Sequence, residues 1–263
     1  MSYQCIQFEQ AGGVARVTLN RPERLNSFNV QMHDDVRHAL KHVREDSECR
    51  VLVLTGAGRG FCAGQDLGDR TVSPGSGAAD LGESIERRYK PLVLSLRSLP
   101  KPVIAAVNGV AAGAGANLAL ACDLVIAARS ASFIQSFSKL GLVPDSGGTW
   151  NLPRLIGPAR AIGLAFLGDK LSAEQAAQWG LIWRCVDDTD FPAAVDELAL
   201  QLAAAPTRGL ARTKEAIYSS GGRTLEQQLD VERDYQRELG YSADYAEGVA
   251  AFTEKRAPRF TGR

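Results

Sequence analysis

The chain has no surplus of either charge: 30 Lys and Arg are matched by 30 Asp and Glu over 263 residues. A nucleic-acid or anionic-membrane partner usually requires a cationic surplus, so no nucleic acid and no membrane is expected as partner. Long apolar runs are missing too, and no stretch approaches the ~20 residues that span a bilayer. None of the five cysteines (Cys5, Cys49, Cys62, Cys122, Cys185) falls in a CxxC or zinc-type spacing. An odd, unpatterned set of thiols fits a reduced, cytoplasmic protein. The opening Met-Ser-Tyr-Gln-Cys-Ile-Gln has no basic segment followed by an apolar one, so no secretory signal is expected. Histidine is scarce, with His33, His38 and His42 all in one helical stretch. His38 and His42 share a face, but two histidines without a third ligand fit a solvated surface better than a metal site, and no metal is expected.

What is present is an ordinary globular composition, 45% hydrophobic and 23% charged. Val14 to Leu19 alternates as a strand and ends at Asn20-Arg21-Pro22. Met32, Val36, Ala39, Leu40 and Val43 recur at helical spacing. Val51-Leu52-Val53-Leu54-Thr55, Val103-Ile104-Ala105-Ala106-Val107 and Leu124-Val125-Ile126-Ala127 read as buried strands. A helix is expected from about Ser84 to Leu99, stopped by Pro100-Lys101-Pro102. Another follows Gly113-Ala114-Gly115. Residues 68–82, rich in Gly, Ser, Pro and Asp, read as a long loop and a candidate lid. Ser172-Ala173-Glu174-Gln175 and Thr224-Leu225-Glu226-Gln227 are capping-box patterns. Together these signals predict an α/β fold with largely parallel strands over residues 1–190 and a helical segment over 191–263.

Three segments carry chemistry. Asp145 sits in the glycine- and proline-bounded turn Gly141-Leu142-Val143-Pro144-Asp145-Ser146-Gly147-Gly148. Phe61-Cys62-Ala63-Gly64-Gln65-Asp66-Leu67 and Asn108-Gly109-Val110-Ala111-Ala112-Gly113-Ala114-Gly115 look like loops that present backbone N–H donors. A helix start such as Ala114 carries orphan N–H groups and a positive dipole end. One carboxylate and two donors suit proton transfer beside a thioester carbonyl, because donors aimed at the oxygen hold an enolate more tightly than a neutral carbonyl. Taken alone, Asp145 also fits a helix N-cap or turn residue. Gly113-Ala114-Gly115 is a poor dinucleotide fingerprint, since Leu118 stands at the third glycine position, and Gly56 to Gly60 lacks the Lys-Ser/Thr of a P-loop. Cys62 has no histidine near it in sequence, so a Cys–His nucleophile is not expected.

Asn20-Arg21-Pro22 with Leu25-Asn26-Ser27, Thr55-Gly56 leading to the Phe61–Leu67 loop, Lys101-Pro102 through Asn108-Gly109, Cys122-Asp123-Leu124 and the Asp145 turn form a set. In that order, over essentially the whole chain, the set resembles the crotonase family, the enoyl-CoA hydratase/isomerase superfamily. The resemblance implies a crotonase-like core of repeated ββα turns, a C-terminal helical trimerisation region, and homotrimers or hexamers. It implies acyl-CoA thioester substrates and no separate cofactor, coenzyme A being part of the substrate. It assigns the oxyanion hole to the backbone N–H groups of Gln65 and Ala114, and the acid/base role to Asp145. Ala63, Asp66 and Leu67, with Arg24 and Leu25, would lie near the nucleotide and pantetheine, while Phe252 and Lys255 would reach them from the C-terminal helices, across a subunit boundary. The family's hydratases activate water with two glutamates. Asn117 and Phe137 stand at those positions here, as candidate substrate-binding residues, so hydration is not expected and isomerisation is. Asp145, flanked by Pro144, Leu142 and Val143, is expected to have a raised pKa. The implied activity is rearrangement of a ring 1,2-epoxide of phenylacetyl-CoA to a seven-membered oxepin thioester, with double-bond shifts of 3-enoyl thioesters beside it. A generic Δ3,Δ2-enoyl-CoA isomerase, an aspartate-nucleophile hydrolase and a non-catalytic RNA-binding member of the fold are the alternatives.

Overall fold

A computed structural model describes residues 3–69 and 80–263, so most of the loop expected at 68–82 lies outside the described residues. The described part opens with an antiparallel hairpin, β1 (Ile6–Ala11) and β2 (Val14–Leu19), joined through Gly12 and Gly13. α1 (Val30–Glu45) is capped by Asn29, whose side chain accepts the Met32 N–H, and it buries the expected stripe of Met32, Val36, Ala39, Leu40 and Val43. Repeated ββα units follow. β3 (Val51–Gly56) and β4 (Gly60–Cys62) lead to α2 (Leu81–Ser84), a π-helical turn (Ile85–Tyr89) and α3 (Lys90–Arg97). β5 (Val103–Val107) and β6 (Val110–Ala112) lead to α4 (Ala114–Ala121). β7 (Leu124–Ala128) and β8 (Ser132–Ile134) lead to α5 (Gly148–Leu167), which kinks at Gly157. β9 (Lys170–Ser172), α6 (Ala173–Gln178) and β10 (Arg184–Val186) precede four helices: α7 (Phe191–Ala204), α8 (Thr207–Ser220), α9 (Leu225–Gly240) and α10 (Ala243–Glu254).

In each ββα unit the first strand joins one sheet and the second joins another. The larger sheet runs β1-β2-β3-β5-β7-β10, parallel except for its hairpin, and the smaller runs β4-β6-β8-β9, parallel except for β8–β9. The fold is therefore α/β with repeated ββα turns and C-terminal helices. Successive strand residues face opposite sides. Leu52, Leu54, Val103, Ala105, Val107 and Val125 face the main core, whereas Val51, Val53, Ile104, Ala106 and Ile126 face Val195, Ala199 and Ala203 of α7. A large aliphatic side chain buried in this way contributes about 1.5–3 kcal/mol. The central strands are thus covered on both faces, which explains their unbroken apolar runs. α8 is fixed to the core by Lys214, whose ammonium pairs with Asp123 at 2.8 Å and donates to Leu96 O at 3.0 Å. Thr224 and Gln227 form the full reciprocal cap of α9. Among the described residues no helix is long and apolar enough to cross a membrane.

Candidate active site

β4 and β6 pair in parallel, so the turns that follow them lie side by side. After β4 the chain turns at Gly64 (φ +93°); after β6 it turns at Gly113 (φ +53°), and α4 starts at Ala114. A Cβ on Gly64 would stand 2.9 Å from Ala112 O and 3.2 Å from Ala114 N, and one on Gly115 would stand 2.2 Å from Cys62 O. Glycine is required at both positions for the backbones to approach this closely. The Gly64–Gln65 peptide consequently rests against the first N–H of α4. Gly64 O accepts from Phe28 N at 2.7 Å and Asp66 N donates to Phe28 O at 2.9 Å. Because peptide groups alternate along an extended strand, the Gln65 N–H then faces away from Phe28. The Gln65 side chain is held by the Tyr89 hydroxyl, which donates to its Oε1 at 3.0 Å.

The loop is braced from below. Asn26, fully buried and at φ +56°, accepts from Arg21 N and donates to Ala57 O at 2.9 Å and Gly60 O at 2.8 Å. Ala63 N donates to Leu25 O at 2.9 Å. Arg21 pairs with Asp66 at 2.8 Å and also donates to Ser27 O. Burial by itself raises the Asp66 pKa, but the Arg21 bond and the Gly68 N–H outweigh it, and the carboxyl is held below the usual range. Arg24, Leu25, Ala63 and Asp66 are thus gathered at one corner, with Arg24 exposed and Leu67 58% exposed. The Asp66 carboxylate is engaged by Arg21 and Gly68, its backbone N–H by Phe28 O, and its carbonyl by Gln65 Nε2 at 3.2 Å.

Asp145 is half-buried in the turn before α5. Its carbonyl accepts from Gly148 N at 2.8 Å, and the turn is closed by Ser146 (φ +51°) and Gly147 (φ +84°). Gly147, with no side-chain cap, is the N-cap of α5, so Asp145 is not a capping residue. The Ser146 hydroxyl donates to Asp145 Oδ1 at 2.9 Å. Leu142 and Val143, from which apolar cover was expected, are 39% and 76% exposed, because the segment runs outward between the Ser136–Leu140 turn and α5. Phe137 is buried, with its ring 3.8 Å from where a Gly113 Cβ would be. Asn117, expected to touch substrate, is fully buried. Its Nδ2 donates to Asp145 O at 2.8 Å and its Oδ1 accepts from Gln135 Nε2 at 2.8 Å, so it has no surface left to offer a ligand.

Other expected residues lie elsewhere. Phe252, 87% exposed, lines a groove with Pro206 and Phe260 on the C-terminal helices, and Lys255 ends α10 in the left-handed conformation. Burial pushes the Cys62 thiol up to about 12, so it offers no thiolate near neutral pH. His33 is buried against Phe28 and Tyr89, His38 is exposed beside Tyr3, and His42 is half-exposed. Among the described residues no cluster of three His, Cys, Asp or Glu could hold a metal. A cavity of about 860 Å³ lies beside α8, but five of the cations that line it, Arg50, Lys101, Lys214, Arg208 and Arg212, are bonded to carbonyls and carboxylates of the chain itself. Sequence reasoning missed Tyr89, Gln135 and the Arg21–Asp66 pair. Only Arg21 carried a signal, its place in Asn20-Arg21-Pro22.

Residues 9–263 match the family described as Enoyl-CoA hydratase/isomerase. The chain is 62% identical over 251 residues to the 1,2-epoxyphenylacetyl-CoA isomerase of Escherichia coli (strain K12), covering 95% of this chain and 96% of that protein. It is 50% identical over 263 residues to a protein of Rhodobacter capsulatus titled "Probable enoyl-CoA hydratase", covering 100% of both. The crystal structure of an enoyl-CoA hydratase from Bacillus anthracis superposes with a TM-score of 0.90 at 34% identity, over 99% of this chain and 100% of that one. With its two adjoining glycine turns and the Asp145 turn in the family's order, the chain belongs to the enoyl-CoA hydratase/isomerase family.

Proposed function

We propose that the chain is an acyl-CoA isomerase that removes a proton beside the thioester, with ring 1,2-epoxyphenylacetyl-CoA as substrate and oxepin-CoA as product in phenylacetate degradation. The observation that carries this is the coupling of both parts to one helix. Ala114 at the start of α4 abuts the Gly64–Gln65 peptide, and Asn117 on the same helix bonds to Asp145. Asp145 takes the C2 proton, and the electron pair moves to the thioester oxygen, which the Gln65 and Ala114 N–H groups hold as an enolate. For a 3-enoyl thioester the same carboxyl returns the proton at C4, moving the double bond from 3,4 to 2,3. Both carbons lie on one face of the substrate, so one carboxylate serves. For the epoxide, the bond between the two epoxide carbons breaks as the ring expands to include the oxygen, and the proton taken from C2 is returned to a ring carbon, so the product is an isomer of the substrate. Hydration would need a second group to activate water. Phe137 has none, and the Asn117 amide is buried and engaged, so relatives titled hydratases do not set the reaction here. The 62% identity to an epoxyphenylacetyl-CoA isomerase supports the ring-epoxide substrate.

Trimers, or hexamers built from them, are part of the same proposal. Exposed Ile217, Leu225, Tyr241, Val249 and Phe252 in the C-terminal helical segment support it, since large apolar side chains left open on one segment are suited to an interface. In such an assembly Phe252 and Lys255 would approach the coenzyme A of a neighbouring subunit, giving residues 191–263 an oligomerising role beside a catalytic 1–190. Free thiols and balanced charge support a cytoplasmic location. The test is an assay of the protein and its Asp145→Asn variant on the ring epoxide of phenylacetyl-CoA and on a 3-enoyl-CoA, with products identified by mass and ultraviolet spectra. Oxepin thioester from the unaltered protein alone is the expected result. Turnover of the 3-enoyl-CoA only would replace the ring epoxide with a fatty enoyl substrate, and turnover of neither would refute the isomerase.

A further inference from the structure

α4 supplies a donor with its first residue and a fully buried amide with its fourth, Asn117. The Asn117 backbone N–H bonds to Gly113 O at 3.2 Å, so the amide is rooted in the turn that begins at Ala114. Its side chain bridges Gln135 and the Asp145 carbonyl, 2.8 Å to each. Gly148 rests directly on it: a Cβ there would stand 2.4 Å from Nδ2. The orientation of the amide follows from chemistry. A carbonyl can only accept, so Asn117 must turn its NH₂ toward Asp145 and its oxygen toward Gln135, which must then present its own NH₂. The consequence is that Gln135 Oε1, on a residue only 3% exposed, has no hydrogen-bond partner among the described residues. Leaving a buried acceptor unmatched costs stability, so two amides serving packing alone are a poor choice here.

Resting on the role proposed for Asp145, we propose that Asn117, oriented by Gln135, is a positioning residue that sets the distance between the Asp145 carboxyl and the Ala114 oxyanion donor. Apart from Asn117, the Asp145 carbonyl is held by the Gly148 turn bond, in a segment whose Leu142 and Val143 point outward. The carboxyl must reach the carbon beside the thioester while the enolate oxygen stays on Ala114. A misplacement of about 1 Å costs up to about 100-fold in rate.

The test uses Asn117→Leu, which keeps the number of side-chain heavy atoms and removes both bonds, and Asn117→Asp, which keeps the acceptor toward Gln135 and sets an oxygen against the Asp145 carbonyl. Each is made alone and in the Asp145→Asn background, with kcat and KM measured on a 3-enoyl-CoA and folding followed in urea. Asn117→Leu should lower kcat about 10- to 100-fold with KM changed by less than about threefold. In the Asp145→Asn background it should lower the residual rate no further, because the clamp acts through Asp145. Asn117→Asp should recover relative to the unaltered protein as pH falls, because a buried carboxyl that takes up a proton can again donate to the carbonyl. Unchanged kcat in Asn117→Leu, or the same fold-loss in both backgrounds, would overturn the clamp. Should Asn117→Leu fail to fold, the pH profile decides: a constant ratio of Asn117→Asp to unaltered activity at every pH would overturn it. Full activity of Asp145→Asn alone would refute the base, and the clamp with it, whatever the Asn117 variants do.

Discussion

Gly64→Ala should lower kcat by about 100- to 1000-fold while leaving the chain folded. The added Cβ would stand 2.9 Å from Ala112 O and 3.2 Å from Ala114 N, where ordinary contact begins near 3.4 Å. Both neighbours are backbone atoms, one at the end of β6 and one at the start of α4, so no flexible side chain can yield. The Gly64–Gln65 peptide must therefore retreat by about 0.5 Å, the difference between 2.9 and 3.4 Å. Alanine is also strained at φ +93°, which adds about 1–3 kcal/mol of instability. The retreat carries the Gln65 N–H out of the 2.7–3.1 Å window around the enolate oxygen, and losing one such donor costs the stated factor. KM should change less than kcat, because the donors act on the developing charge more than on the neutral carbonyl. Steady-state kinetics on a 3-enoyl-CoA, with a thermal melt of the same sample, measure both effects. Gly12→Ala is the control: it is also at positive φ (+58°) but has nothing within 4 Å, so it should cost stability without rate. A Gly64→Ala enzyme with kcat within threefold of the unaltered protein would refute the placement of the oxyanion hole.

Asp123→Asn should destabilise the protein by about 3 kcal/mol in urea unfolding, because it leaves the nearly buried Lys214 ammonium without its carboxylate; a change below about 0.5 kcal/mol would contradict this role. Asp66 has a folded-state pKa below its unfolded value, so its contribution is complete above about pH 4 and is lost as pH falls through the lower, folded value. Asp66→Asn should accordingly flatten the acid limb of the stability–pH curve below about pH 4, and an unchanged limb would refute the Arg21–Asp66 bond. Alkylation of the native protein at pH 8 should label Cys185 and spare the buried Cys62 and Cys122, both pushed up to about 12 by burial. Labelled Cys62 in a peptide map would contradict that burial.

The long strands were readable because Val51–Thr55, Val103–Val107 and Leu124–Ala127 are covered on both faces and so are apolar throughout. β4, β6, β8, β9 and β10 are three residues each, too short for a period to register, and the second sheet was reached only through the family resemblance. β1 is largely exposed on its outward side and carries polar Gln7, Glu9 and Gln10, which hid it. At the site, glycine was the legible residue: Gly64 and Gly115 mark close backbone approaches, and Gly113 a turn at positive φ. Partners remote in sequence were not legible. Arg21 and Asp66 are 45 residues apart, Tyr89 and Gln65 are 24 apart, and Gln135 and Asn117 are 18 apart. Each pair depends on how strands stack, which no local pattern encodes. Asn117 stands where the family's hydratases carry a glutamate, which pointed it toward substrate; the structure buries it fully between Gln135 and the Asp145 carbonyl.

The most direct test of the account is hydrogen exchange at C2. A saturated acyl-CoA, which can lose and regain the C2 proton but cannot isomerise, is incubated in D₂O with the protein and with Asp145→Asn, and deuterium uptake is followed by mass. The account predicts enzyme-dependent uptake at C2 with the unaltered protein and a loss of about 1000-fold or more in the variant, with acyl-CoA binding retained. Equal uptake by both would contradict Asp145 as the base.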